Sequence, residues 1–274
     1  MSSHRDRIFG VDFSGASRPG RSIWITEAQF QSGSLTVKRC ESATKRFDLP
    51  ATDSREIVYE DLRELIKENS SAVFGIDFPF GLPESVSFDR DSWSEHLNEL
   101  CNEFVSGSAI DFRERCVEVA SNTDRGSGYL RRETDWRYGG QCPYQHQLQY
   151  QTFHGQRDFL APLIMAGDAC VLPMQDRESE LPWLVEVYPA ATLSRLQLYR
   201  HGYKIHEQSG QRREWNLERL REQGVEMDDD IDDRCSQSDN AHDSLIATLG
   251  AFRALQADFL DEGLGCDLEG QIFV

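Results

Sequence analysis

Two short apolar segments, Arg7–Ser14 (RIFGVDFS) and Ala72–Phe78 (AVFGIDF), decide the predicted fold. Each is rich in the β-branched and aromatic residues typical of a buried strand, and the second is stopped by Pro79. Each also carries one aspartate near its end, Asp12 in the first and Asp77 in the second. The two segments therefore predict neighbouring strands of a sheet, with an acidic side chain at the end of each.

The residues between these segments predict how the two strands are connected. Ser22–Phe30 alternates apolar and polar side chains, Gly33 lies in a turn signal, and Ser34–Ser42 continues as a third strand. Asp53–Asn69 then has apolar residues at helical spacing. A crossover helix makes the next strand parallel to the first, so the order βββαβ predicts a mixed α/β sheet.

The rest of the chain extends this sheet around an insertion. Residues 84–182 lose the strand rhythm and contain helical patterns, so we interpret them as a mostly helical insertion within a single domain spanning 1–274. Trp183–Tyr188 supplies the last of five main strands, and 228–233 is expected to be a solvated loop. A long helix is predicted from Ser238 or Asp239 to about Glu262, followed by a short final strand at 271–274.

Composition narrows the environment and the partners. The net charge of −18 repels phosphate backbones at low salt, although dense carboxylates and few lysines also suit a surface adapted to a high-salt cytoplasm. No apolar run approaches the ~20 residues that span a bilayer, and the N-terminus has no secretory pattern. We therefore expect a cytoplasmic protein with no membrane partner.

Carboxylates inside apolar strands are the main candidates for chemistry. Asp12, Asp77 and Glu186 each lie in such a strand, where an unpaired charge is costly. The alternative for any one of them is an ion pair with an arginine. Parallel neighbouring strands would bring Asp12 and Asp77 together at their carboxyl ends, where α/β sheets hold ligands. A divalent metal ion would relieve their mutual repulsion.

The predicted C-terminal helix offers two further acids. Asp239 and Asp243 are four residues apart and share a face, although both also suit a helix N-terminus. Ala247 and Gly250 lie on the same face as Asp243, which would allow the helix to approach the sheet closely and would turn Asp243 inward. His242, beside it, is either a proton carrier or a surface residue.

Five motifs distributed along the chain resemble those of one family. FGVDFSGA, FGIDFPFGLP, VEVYPAATL, DNAHDSLIATLGAF and the terminal EGQIFV look like the successive motifs of family 429 among the domains of unknown function. The resemblance implies a ribonuclease H-like fold and a nuclease-like activity. It also implies an acidic metal site made of Asp12, of Asp77 or Glu186, and of Asp243.

Taken together, these features predict a metal-dependent nuclease. Two Mg²⁺ or Mn²⁺ ions would activate water and stabilise the leaving oxygen, with Asp12 bridging them, Asp77 or Glu186 as the second acid and Asp243 as the third. Asp239 is an additional candidate ligand. The alternatives are an ATP-binding phosphotransferase of the actin and sugar-kinase type and a non-catalytic binding module.

A cluster of cationic and aromatic residues within the insertion is the candidate substrate-binding surface. Such a mixture can bind phosphates and stack bases of a nucleic acid, or it can simply pair with the acidic surface. The candidate residues are Arg125, Tyr129, Arg131, Arg132 and Trp136.

Overall fold

The apolar segments of the sequence form the strands of one mixed β-sheet. The computed structural model describes residues 5–50, 52–87, 92–124, 127–259 and 268–274. The strands in these residues are β1 (Arg7–Asp12), β2 (Trp24–Gln31), β3 (Ser34–Ser42), β4 (Val73–Asp77), β5 (Cys170–Leu172), β6 (Trp183–Val187), β7 (Val225–Glu226) and β8 (Ile272–Phe273).

Pairing within the sheet follows the predicted meander and crossover. The strand order is β5-β6-β4-β1-β2-β3-β7, and β8 pairs with β6. β1, β2 and β3 are antiparallel neighbours, whereas β1, β4 and β6 run parallel. The mixed α/β sheet is confirmed, but the prediction of five strands is wrong because the described sheet has eight. β5 and β7 are three and two residues long, too short to show a hydrophobic period.

Helices cover both faces of the sheet. They are α1 (Ala43–Arg46), α2 (Arg55–Lys67), α3 (Trp93–Glu103), α4 (Ala109–Ser121), α5 (Glu133–Tyr138), α6 (Gln149–His154), α7 (Ala161–Ala166), α8 (Pro189–Arg195), α9 (Ser209–Glu222), α10 (Asp229–Gln237) and α11 (Asp239–Gln256). A π-helical segment, Gly155–Leu160, joins α6 directly to α7. Short 3₁₀ turns lie at Pro19–Arg21 and Glu84–Val86.

The segment 228–233 is helical, so the prediction of a solvated loop is wrong. Asp228 caps α10, because its carboxylate accepts a hydrogen bond of 2.8 Å from the backbone N–H of Ile231. Ile231 and Cys235, four residues apart, turn inward and are buried. The many aspartates of this segment make the two-residue apolar face hard to recognise in the sequence, so the run of charges alone predicts a loop.

Alternation along β1 divides the core into two layers. Ile8 packs with the buried face of α11 and with α9 and α10 on one side of the sheet. Phe9 packs on the other side with α2 and the π-helical segment, where its ring stacks on that of Phe74. A third cluster lies within the predicted insertion and includes Phe104, Phe112 and Phe153. The insertion is therefore packed around its own apolar residues, and it also contributes β5 to the sheet.

Two glycines allow α11 to lie directly on the sheet. Gly10 of β1 and Gly75 of β4 are paired in register. A Cβ atom at Gly10 would lie 2.2 Å from the carbonyl oxygen of Ser244, and one at Gly75 would lie 2.7 Å from that of Ala247. Both distances are far shorter than a real Cβ contact, so the helix can sit this close only over glycine.

Among the described residues, no helix is both long enough and apolar enough to cross a bilayer.

Candidate metal centre

Three carboxylates from separate segments meet at one end of the sheet. Asp12 and Asp77 are the last residues of the parallel strands β1 and β4 and are partners in register. Asp243 reaches them from the second turn of α11. One carboxylate oxygen of each residue lies within 4.8 Å of those of the other two. We refer to Asp12, Asp77 and Asp243 as the carboxylate cluster.

The start of α11 fixes the third member of this cluster. Ser238 is the N-cap residue, and its hydroxyl accepts a hydrogen bond from the backbone N–H of Ala241. From that start, the close packing of α11 on Gly10 and Gly75 turns Asp243 toward the strand ends. Asp243 is buried, whereas Asp12 and Asp77 are partly exposed.

The cluster has unusual electrostatics because its members share a confined space. Burial, followed by the charges of Asp243 and Asp77, raises the pKa of Asp12 well above its ordinary value. Burial and the charge of Asp243 raise the pKa of Asp77 to about 8. The pKa of Asp243 is also raised by burial, and this rise is opposed by Lys204. Without a cation, Asp77 therefore favours its protonated form near neutral pH.

Two residues that the sequence did not single out contact Asp243. The hydroxyl of Tyr203 donates a hydrogen bond of 2.8 Å to Oδ1, and Nζ of Lys204 forms an ion pair with Oδ2. Burial lowers the pKa of Lys204, but the charges of Asp243, Asp77 and Asp12 outweigh this effect and hold it above the usual range.

The loop that carries Tyr203 and Lys204 is tied to α9 and α10. Arg213 of α9 donates hydrogen bonds to the carbonyl oxygens of Ser236 and Tyr203. Asn216 exchanges two hydrogen bonds with the backbone of Tyr199. The loop has no regular period that a sequence could show. The one sequence feature that could have drawn attention to Lys204 is the rarity of lysine, since the chain has only four.

Glu186 lies near the cluster but is held by an arginine. Its two oxygens accept hydrogen bonds of 2.5 and 2.7 Å from Arg132, and the backbone N–H of Phe80 adds a third of 2.8 Å. Arg132 also donates to Asp135 through two nitrogens and to the carbonyl oxygen of Glu269. We refer to Arg132, Asp135 and Glu186 as the arginine cluster.

This arrangement differs from the expectations for both residues. Arg132 was expected to contact substrate, but its side chain is 1% exposed and its five N–H groups all have partners inside the protein. Glu186 was expected as an alternative to Asp77, but it is outside the group of three carboxylates. It forms an ion pair with an arginine, which was the other interpretation of a carboxylate in an apolar strand.

The other two candidates on α11 differ in their surroundings. Asp239 is partly exposed at the first residue of the helix, outside the group of three, although its charge contributes to the raised pKa of Asp12. His242 is fully buried, 3.2 Å from the amide nitrogen of Asn216. Burial and the charges of Arg213 and Lys204 lower its pKa to about 3. A neutral packing residue therefore describes His242 better than a proton carrier.

The expected substrate-binding surface is only partly described. Arg125 lies outside the described residues. The guanidinium of Arg131 lies over the ring of Trp136, 4.7 Å from its centre, and Trp136 is 66% exposed. The ring of Tyr129 stacks on Tyr144 and is also exposed. These three residues therefore remain open to a partner, unlike Arg132.

Two clefts meet at the carboxylate cluster. Asp77, Tyr188 and Lys204 line both of them. The first cleft, of about 270 Å³, also contains Asp12, Phe13 and the glutamines Gln141, Gln147 and Gln151. The second, of about 340 Å³, also contains Asp243, Arg200, His201 and His206. The first cleft therefore adds amide and aromatic groups to the site, and the second adds Arg200 and two histidines.

The residues of the cluster fit a divalent cation. Among the described residues, no group donates a hydrogen bond to a side-chain oxygen of Asp12 or Asp77, although the two strand ends lie side by side. Carboxylate oxygens are the ligands preferred by Mg²⁺ and Mn²⁺. The cluster could therefore hold such an ion.

Comparison with known proteins identifies the family. Neither a curated protein nor a solved structure matches the chain significantly. A family model matches residues 10–260, which include the whole carboxylate cluster and the arginine cluster. The chain therefore belongs to the family described as "Protein of unknown function (DUF429)".

Proposed function

We propose that this protein is a metal-dependent phosphodiesterase that cleaves nucleic acid. The observation that carries the proposal is the convergence of Asp12, Asp77 and Asp243, whose carboxylate oxygens lie within 4.8 Å of one another. Three acids at this separation repel one another, and their cost to the fold is relieved when a cation binds. Mg²⁺ and Mn²⁺ are the proposed cofactors.

The topology supports a ribonuclease H-like fold as part of this proposal. An antiparallel meander of β1, β2 and β3 is followed by a helical crossover to β4, which is parallel to β1. The family resemblance implies a ribonuclease H-like fold as well. Asp12 and Asp77 then lie at the carboxyl ends of adjacent parallel strands, where α/β sheets bind their ligands.

The proposed reaction is hydrolysis of a phosphodiester. A bond forms between a water oxygen and phosphorus, one phosphorus–oxygen ester bond breaks, and the two protons of the water end on the departing alcohol and on the phosphate monoester. A bound divalent ion supplies a nucleophilic water and stabilises negative charge. Asp12, Asp77 and Asp243 hold that ion, while Tyr203 and Lys204 fix the orientation of Asp243.

The charges around the site favour a phosphate-containing substrate. The chain has a net charge of −18, which argues against binding to nucleic acid over its whole surface. The second cleft nevertheless brings Arg200, Lys204 and two histidines next to Asp243. The positive charges of Arg200 and Lys204 beside a carboxylate cluster suit a phosphate group that is attacked at the metal centre.

The test is a comparison of the wild type with Asp12→Asn. Both proteins are incubated with single-stranded, branched and hybrid nucleic acids and, separately, with ATP, in Mn²⁺ at high salt. We expect the wild type to cut at least one nucleic acid and Asp12→Asn to be slower by a factor of about 10³. Equal inactivity of the two proteins on every nucleic acid contradicts the proposal, and hydrolysis of ATP alone favours the phosphotransferase.

A further inference from the structure

Lys204 forms an ion pair with Asp243 of the carboxylate cluster. We propose that Lys204 is a catalytic residue that supplies the second positive charge of the site, so that the protein binds one divalent cation and not two. This inference rests on the proposed function and replaces the expectation of a two-metal centre.

The carboxylate oxygens of the cluster are not equally free to bind a metal ion. Both side-chain oxygens of Asp243 already have donors, because Tyr203 contacts Oδ1 and Lys204 contacts Oδ2. In the part of the chain that the structure describes, the carboxylates of Asp12 and Asp77 have no such donors. Asp243 therefore offers a metal ion only the lone pairs that these donors leave free, and the unoccupied oxygens belong to two adjacent strand ends, a donor set suited to one ion.

The charge of the site also suits one divalent cation. When ionised, the three carboxylates carry three negative charges, and Lys204 cancels one of them. The remainder equals the charge of a single divalent cation. A second ion would need another acid, but Glu186, which lines the first cleft, already uses both of its oxygens to accept hydrogen bonds from Arg132. A two-metal centre would therefore leave an excess of positive charge before substrate arrives.

Lys204 is also accessible to a substrate. The side chain of Lys204 is 48% exposed while that of Asp243 is 1% exposed. Lys204 also lines both clefts, so its ammonium can reach a substrate from either side. We infer that it donates a hydrogen bond to a non-bridging phosphate oxygen, without transferring a proton, and stabilises the negative charge that develops in the reaction.

The experiment combines metal binding, phosphate binding and hydrolysis. Calorimetric titration of the wild type with Mn²⁺ is expected to give one ion per chain. Lys204→Met should bind Mn²⁺ about tenfold more tightly, because a competing cation has been removed. The same variant should hydrolyse nucleic acid about 100-fold more slowly. It should also bind inorganic phosphate more weakly when Mg²⁺ is present.

Two matched variants separate this role from a general effect of charge or packing. Lys67→Met removes a lysine from a surface ion pair with Glu64 and should change none of the three measurements. Lys204→Arg keeps the positive charge and should recover part of the phosphate binding that Lys204→Met loses.

Two outcomes would overturn the inference. One is the binding of two Mn²⁺ ions of similar affinity to the wild type. The other is a Lys204→Met protein that binds Mn²⁺ more tightly and hydrolyses nucleic acid as fast as the wild type or faster. Lys204 would then only occupy the metal site until the ion displaces it. If the wild type hydrolyses nothing, the proposed function fails. One Mn²⁺ per chain and weakened phosphate binding in Lys204→Met would still support the role of Lys204.

Discussion

The carboxylate cluster and the arginine cluster solve the same physical problem in opposite ways. Both place acids among apolar residues at the same end of the sheet, and Asp77, Arg132 and Glu186 line one cleft. In the arginine cluster, a buried guanidinium satisfies two carboxylates. In the carboxylate cluster, three acids share one lysine. The comparison indicates that the first is complete within the fold, whereas the second needs a partner from solution.

The largest expected effect comes from breaking the arginine cluster. Arg132→Met removes five hydrogen bonds and leaves Asp135 and Glu186 buried without a counter-charge. Removal of one partner from a buried ion pair costs about 3–5 kcal/mol. We expect the free energy of unfolding, measured by urea denaturation, to fall by that amount. The matched variant Arg131→Met, at a partly exposed position over Trp136, should change it by less than about 1 kcal/mol.

The outcome for Arg132→Met decides whether this cluster is structural. A variant with nearly wild-type stability would mean that water or a rearranged side chain replaces the guanidinium. Glu186 would then regain its place as a candidate metal ligand, and Mn²⁺ affinity measured in the same variant would show it.

The next effect tests how α11 delivers Asp243 to the carboxylate cluster. Gly75→Ala inserts a methyl group 2.7 Å from the carbonyl oxygen of Ala247, so the helix must move away from the sheet. We expect a loss of about 2 kcal/mol in the free energy of unfolding and a weaker affinity for Mn²⁺.

Gly210→Ala is the control for Gly75→Ala. It lies in α9, and the nearest atom to its added methyl group is 3.9 Å away. It should leave stability unchanged or raise it slightly. If Gly75→Ala keeps full Mn²⁺ affinity, the close approach of the helix is not what positions Asp243.

Sequence patterns predicted the carboxylate cluster better than the arginine cluster. Asp12 and Asp77 interrupt apolar strands, and the crossover between those strands makes them parallel, so their proximity follows from local patterns. Asp243 follows from helical spacing. The partner of Glu186 is 54 residues away in sequence, inside an irregular segment, and no local pattern shows which of many arginines is buried. Tyr203 and Lys204 were missed because loop geometry depends on tertiary contacts from Arg213 and Asn216.

A smaller effect concerns the dependence of stability on pH, which tests the electrostatic difference between the two clusters. The ordinary pKa of Asp77 is 3.8, and in the folded protein it is about 8. Between these values the folded state binds the extra proton, so stability is lost as pH rises toward 8. His242, whose pKa is lowered to about 3, has the opposite effect, because stability rises with pH as the unfolded chain loses this proton. That rise is complete above the ordinary pKa of histidine, 6.5. The window from pH 6.5 to 8 therefore isolates the carboxylates.

In this window, the metal-free protein in EDTA should lose at least about 1 kcal/mol of stability for each pH unit, because Asp77 retains a proton and the raised pKa of Asp12 adds to the slope. Urea denaturation at several pH values measures this slope. Mg²⁺ should reduce it, because the ion takes the place of the proton, and Asp77→Asn should reduce it in EDTA. If the stability of the wild type in EDTA does not change with pH, ionisation of the carboxylate cluster does not lower the free energy of unfolding.

The smallest effect concerns Asp239. A variant at this position distinguishes an acid that binds the metal ion from one that only contributes negative charge near the site. Asp239 is partly exposed and outside the group of three, yet its charge reaches Asp12. Screening by solvent weakens such an interaction. Asp239→Asn should therefore lower Mn²⁺ affinity by less than about threefold, and this loss should disappear at high salt, whereas loss of a direct ligand would persist. A loss of a hundredfold or more at any salt concentration would make Asp239 a fourth ligand, and the site would then have the donors for a second ion.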